Sequence, residues 1–159
     1  MRRNTQIAHK RRGGFTLIEI MIAVTLVGLL ASVAIPQFIK MRNRARATLI
    51  ANDMRIFTEA IDSYVFEAGG FPVYAAGTIA PELETWVKLE TWNQAAGFTT
   101  GAWEYFNPNA AYTPEIVLDT PGGTNSNVFQ VVDEMLDDGV ATTGTIVFED
   151  EYVLYQFSE

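Results

Sequence analysis

The stretch FTLIEIMIAVTLVGLLASVAIPQFI, residues 15–39, contains one charged residue, Glu19. As a helix rising ~1.5 Å per residue, Phe15 to Ile35 extends about 31 Å, the thickness of the hydrocarbon core of a bilayer. The segment can therefore span a membrane. A carboxylate at that depth costs roughly 2.5–3.5 kcal/mol even on lenient insertion scales, and Leu would serve a plain anchor better. The tract Lys10-Arg11-Arg12 and the pair Gly13-Gly14 stand immediately before the run.

Charge is segregated along the rest of the chain. The net charge is −8, yet ten of the eleven bases lie at or before Arg55. Lys40, Arg42, Arg44 and Arg46 form a basic collar just after the apolar run. Beyond Arg55 the only base is Lys88, against 17 of the 19 acids, all but Glu19 and Asp53. Such a surface repels nucleic acid and anionic lipid and attracts cations or a basic partner. No nucleic-acid partner is expected. The chain has no cysteine, so it has no disulfide, thiol nucleophile or thiolate metal site, and its one histidine, His9, lies in the basic tail. Triads with a His base and His-ligated metals thus lack a partner in the body of the chain. No enzyme activity is expected.

Three readings of the N-terminus compete. A secretory signal peptide could be cut after Ser32-Val33-Ala34, but its apolar region normally runs about 7–15 residues and carries no acid. A plain single-pass anchor has no use for Gly13-Gly14 or Glu19. In the third reading, Lys10-Arg11-Arg12-Gly13-Gly14-Phe15-Thr16-Leu17-Ile18-Glu19, with Pro36 some twenty residues on, resembles the processing site of type IV pilins and of type II secretion pseudopilins. The resemblance covers Lys10 to Gln37. It implies cleavage after Gly14 by a prepilin peptidase, N-methylation of Phe15, and assembly into a filament of identical or sibling subunits by a platform protein and an ATPase. It places the chain in the inner membrane with its C-terminal domain outside the cytoplasm, the filament lying in the periplasm or on the cell surface. The lack of a cysteine pair favours a secretion pseudopilus over an adhesive or motile pilus. A single-pass, membrane-anchored or exported binding protein with an acidic domain is the alternative.

A buried acid requires a partner, and Glu19 can find one in the amine of a processed Phe15 on the adjacent subunit. Such a pair sets axial register, since sliding by one turn strands both charges. Snorkelling of Glu19 to the interface is the plainer reading.

Four segments follow: a leader over 1–14, an apolar helix over 15–36, its amphipathic continuation over 37–68, and an acidic globular domain over 69–159. The stripe Phe38, Met41, Ala45, Leu49, Ala51/Met54, Phe57/Ile61 and Tyr64/Val65 has helical spacing and stops at Gly69-Gly70. Pro36 removes a helical donor from the Ser32 carbonyl, which predicts a kink or a segment that can unwind on assembly.

The expected fold is α+β, a long helix packed on a small antiparallel sheet. A short helix is predicted over Pro81–Leu89, strands over 102–106, 115–118, 144–148 and 152–157, and a helix capped by Asn127 running to Leu136. Asp133, Glu134, Asp137 and Asp138 crowd the end of that last helix. The family resemblance makes calcium plausible there, with Asp133, Asp137 and Asp138 as ligands, because Ca²⁺ takes about 6–8 oxygens. The cluster lacks the twelve-residue EF-hand pattern, and a solvated acidic helix end is the plainer alternative.

Overall fold

The structure is a computed structural model that describes residues 14–73, 79–93, 98, 101–107 and 113–157. The basic leader before Gly14, with His9, lies outside the described residues. The chain divides into two units, residues 1–39 and 40–159. One helix, α1, runs from Leu17 to Ala68 and contributes to both.

In the first unit α1 is apolar all round, with a mean hydropathy of 2.4 over its most apolar window and none of that window buried. Its few hydroxyls turn inward on the helix itself. Thr25 Oγ1 donates to the Met21 carbonyl and Ser32 Oγ to that of Leu29, both at 2.7 Å. That arrangement suits a hydrocarbon environment, which offers a side-chain hydroxyl no other partner. The helix passes through Pro36 without interruption, so the predicted unwinding is not a property of the isolated chain.

In the second unit, Ala47, Ile50, Ala51, Met54, Phe57, Ala60 and Ile61 form the buried stripe of α1. This corrects the start of the predicted stripe. Phe38, Met41 and Leu49 are all more than half exposed. Spacings of three and four residues fix the true face from Ala47, and Leu49 falls off that face. The helix stops as expected, with Gly69 at φ 78° donating its N–H to the Val65 carbonyl at 2.8 Å.

Four strands, β1 (Ala102–Phe106), β2 (Glu115–Asp119), β3 (Ile146–Phe148) and β4 (Tyr152–Gln156), make an antiparallel sheet in the order β1-β2-β4-β3. The register lines up two inward rows. Trp103, Leu118, Val153 and Phe148 form one, and Tyr105, Ile116, Tyr155 and Ile146 the other. Phe57 of α1 meets Trp103 at 5.1 Å and Trp92 at 4.6 Å between ring centroids, the latter from the short helix α2 (Leu89–Asn93). Tyr105 Oη and Asn107 Nδ2 each donate to the Pro72 carbonyl at 2.9 Å, tying the chain after α1 to the end of β1.

Two predicted elements differ. Instead of one helix over Pro81–Leu89, a 3-10 turn spans Pro81–Thr85, and α2 starts afresh where the Lys88 carbonyl accepts from Thr91 and Trp92. The last helix, α3, spans Ser126–Leu136 with Asn125, not Asn127, at its cap position. Asn125 gives its side chain to Thr120 Oγ1 at 3.0 Å, while its carbonyl accepts from Val128 and Phe129. The buried face of α3 is Val128, Phe129, Val132 and Asp133.

Candidate functional site

At the start of α1, Gly14 and Phe15 are exposed and precede the first helical turn. Thr16 is the cap residue. Its N–H and its Oγ1 both donate to Glu19 Oε2 at 2.8 Å, while the Glu19 N–H approaches Thr16 Oγ1 at 3.4 Å. This is the reciprocal capping box of a Thr-x-x-Glu sequence, which satisfies two orphan donors of the helix. Glu19 therefore has partners within the chain before any cleavage. Thr16 is a residue that sequence reading missed, although the capping pattern was legible. Pro36, the other predicted assembly residue, lies in the same unit within the helix.

The second candidate region is the loop after α3. Asp133, Asp137 and Asp138 each bring a carboxylate oxygen within 4.8 Å of the others. Their environments differ sharply. Asp137 Oδ2 accepts from the Ile146 N–H at 2.9 Å, from Thr145 Oγ1 at 3.0 Å and from the Thr145 N–H. These donors hold its carboxyl below the usual carboxylate range. They also explain why β3 begins at Ile146 rather than Gly144. The chain folds over the carboxylate with Gly144 at φ 85°, where a Cβ would collide with Asp137 Oδ2. Asp138 accepts from the Val140 N–H at 2.8 Å and from Thr143 Oγ1 at 2.7 Å.

Asp133 is 0% exposed, and among the described residues no donor meets either of its oxygens at hydrogen-bond geometry, the Gly139 amide acting on it only weakly. Burial pushes its carboxyl above the ordinary value. Asp138, Asp137 and Glu134 push the same way, against a pull from the Gly139 amide. A buried, unpaired acid facing two further carboxylates is electrostatically incomplete. A proton on Asp133 or a cation among the three would complete it. The donor set, all carboxylate oxygen, suits a hard cation such as Ca²⁺.

Comparison with known proteins bears on the first region directly. Residues 9–35 match the prokaryotic N-terminal methylation motif. The chain is 33% identical over 84 residues to the type II secretion system core protein G of Pseudomonas aeruginosa, which covers 53% of this chain and 56% of that protein. It is 28% identical over 81 residues to the core protein G of Aeromonas hydrophila, covering 46% of this chain and 57% of that protein. It is 37% identical over 65 residues to the type IV major pilin protein PilA of Myxococcus xanthus, covering 41% of this chain and 30% of that protein. The chain thus spans about half the length, or less, of these curated relatives. No solved structure matches it. By its N-terminal motif and these relatives, the chain is similar over its N-terminal part to type II secretion core protein G and to type IV pilins.

Proposed function

We propose that this protein is a filament subunit, made as a membrane-anchored precursor, cut between Gly14 and Phe15, N-methylated at Phe15 and assembled through the apolar part of α1. The observation that carries this reading is a helix half with large apolar side chains exposed on every side and one acid, Glu19, at the fifth position after the proposed cut. A side chain such as Leu30, 70% exposed, needs lipid first and neighbouring helices later. The capping box supports a specific role for Glu19. Thr16 holds the carboxylate while the precursor sits in the membrane, and the amine released at Phe15 offers it a charged partner afterwards. Prepilin peptidase, a platform protein, an assembly ATPase and sibling subunits are the partners this reading calls for. The similarity to core protein G, together with the absence of cysteine, supports a type II secretion pseudopilus over a type IV pilus.

Coexpression with a prepilin peptidase, followed by mass spectrometry of the N-terminus, tests the reading. The expected product begins at a methylated Phe15. An intact leader, or a start at Ile35, would instead support a single-pass or exported binding protein. Glu19→Ala is expected to leave insertion and cleavage intact while abolishing filaments, as seen by electron microscopy of sheared material.

We further propose that Asp133, Asp137 and Asp138 hold a calcium ion, which when bound supplies the counter-charge Asp133 lacks. Asp137 positions the loop through Thr145 and Ile146 and keeps its second oxygen available. Millimolar Ca²⁺ is expected to raise the melting temperature of the wild-type chain, by about 2–3 kcal/mol of stability near a hundredfold excess over the dissociation constant. A melt indifferent to Ca²⁺ and to chelator removes the ion from this reading.

A further inference from the structure

Two sets of charged groups in the unit 40–159 have no ion-pair partner among the described residues. Lys40, Arg42 and Arg44 are exposed on α1, with no carboxylate partner among the described residues. Their neighbour Arg46, by contrast, sits over the Phe98 ring at 5.4 Å. Further along α1, Asp62, Ser63, Phe66 and Glu67 line an open groove of about 630 Å³ together with Trp86, the residue after the 3-10 turn. Phe66 is 94% exposed and Trp86 44%. The Ser63 hydroxyl is committed to the Glu59 carbonyl at 2.7 Å, so among the described residues the groove's free acceptors are two carboxylates, beside the indole N–H of Trp86. Glu82 and Glu84, both exposed, lie in the turn leading to Trp86, and Lys88 does not line the groove.

Two aromatic faces flanked by two carboxylates suit a cation on a long stem. A guanidinium can pair with a carboxylate and stack on a ring at once, whereas an apolar partner would bury the carboxylates unpaired. We propose that the groove receives the Lys40–Arg44 collar of a second copy of this chain in the filament, an inference that rests on the filament reading above. Arg44 and Phe66 are 22 residues apart on one helix, about 33 Å at ~1.5 Å per residue. A parallel neighbour displaced by that distance brings its collar level with the groove. The contact also answers a problem of charge. Domains with one base against 17 acids beyond Arg55 repel one another unless each meets a neighbour's cations.

Because the chain has no cysteine, a designed disulfide tests the contact without background. Glu67→Cys combined with Arg44→Cys in the full-length chain is expected to give an intermolecular ladder on mild oxidation of filaments, and neither single variant should do so. Charge reversal gives a second reading. Asp62→Lys with Glu67→Lys is expected to cut filament yield roughly tenfold, and adding Arg42→Glu and Arg44→Glu to restore most of it, as like-charge contacts and their repair predict. The cross-link decides the matter even where reversal harms folding. Filaments that form without the ladder, or a Glu67→Cys cross-link to an unlike protein, overturn the docking while leaving the filament reading intact. A wild-type chain that keeps its leader and forms no filament overturns both.

Discussion

Residues 17–39 and 47–61 belong to one uninterrupted helix, yet they solve the burial of apolar surface in opposite ways. In the first stretch Leu29 and Leu30 are about two-thirds exposed, whereas in the second Ile50, Phe57 and Ile61 are fully buried. Hydrophobicity alone does not separate them. The second stretch carries Asn52, Arg55 and Glu59 on its outer side, so the rest of its own domain can cover the inner one. The first has no polar side to leave in water and must take its surroundings from outside the chain. The acidic loop repeats this contrast on a smaller scale, since Asp137 is satisfied by its own chain and Asp133 is not.

The sharpest break of the comparison is a pair of truncations. Phe57→Ala removes the ring between Trp92 and Trp103 and is expected to cost about 3–5 kcal/mol, much of the total stability of a small domain. Leu26→Ala is expected to change the unfolding of the same chain in detergent by less than about 0.5 kcal/mol, while weakening filaments. Tryptophan fluorescence during urea unfolding reads both, because Trp92 and Trp103 flank the deleted ring. Equal losses from the two variants would show that the halves are not energetically separate.

Asp137→Ala comes next. It removes the acceptor of three donors from Thr145 and Ile146 and is expected to cost about 2 kcal/mol, with exchange protection lost at those two amides. Since the folded chain holds this carboxyl below its ordinary value, the stabilisation is present above the ordinary carboxylate pKa. It is lost as pH falls through the lowered one. A melt of the variant equal to wild type at neutral pH would mean that the loop does not depend on this acid.

Much of this was legible in the sequence, for reasons that also set its limits. Gly69-Gly70 ended the helix because only a glycine takes the positive φ that closes it, and turn residues bounded the four strands at close to their observed positions. What was not legible depended on contacts from far along the chain. Spacing separates Ile50 from Leu49 once the face is known, but where the buried face of α1 begins is not local, because that depends on the rest of the domain that covers the helix. The wheel of α3 puts Asp133 beside Phe129 and Val132, yet an acid at a helix end reads as solvated until β3 is seen to pack against that helix. Thr16 was a different kind of miss. Its pattern with Glu19 was local and complete, but Glu19 attracted notice as a cost in the membrane rather than as the third residue of a cap.

Asp133→Asn is the smallest change and the one that most directly asks what the unpaired acid awaits. The side chain keeps its shape and loses its charge. In the wild-type fold the carboxyl is raised above its ordinary value, so its stability contribution is full below that value and is lost as pH rises through the raised one. Without calcium the variant should therefore match wild type near pH 3.5. It should be more stable by about 1 kcal/mol at pH 7, where wild type alone bears an unpaired buried charge. With saturating calcium the order should reverse, because Asn is a weaker ligand than a carboxylate. A variant less stable than wild type at pH 7 in chelator would mean that Asp133 is already paired within its own chain. The contrast with Asp137 would then disappear.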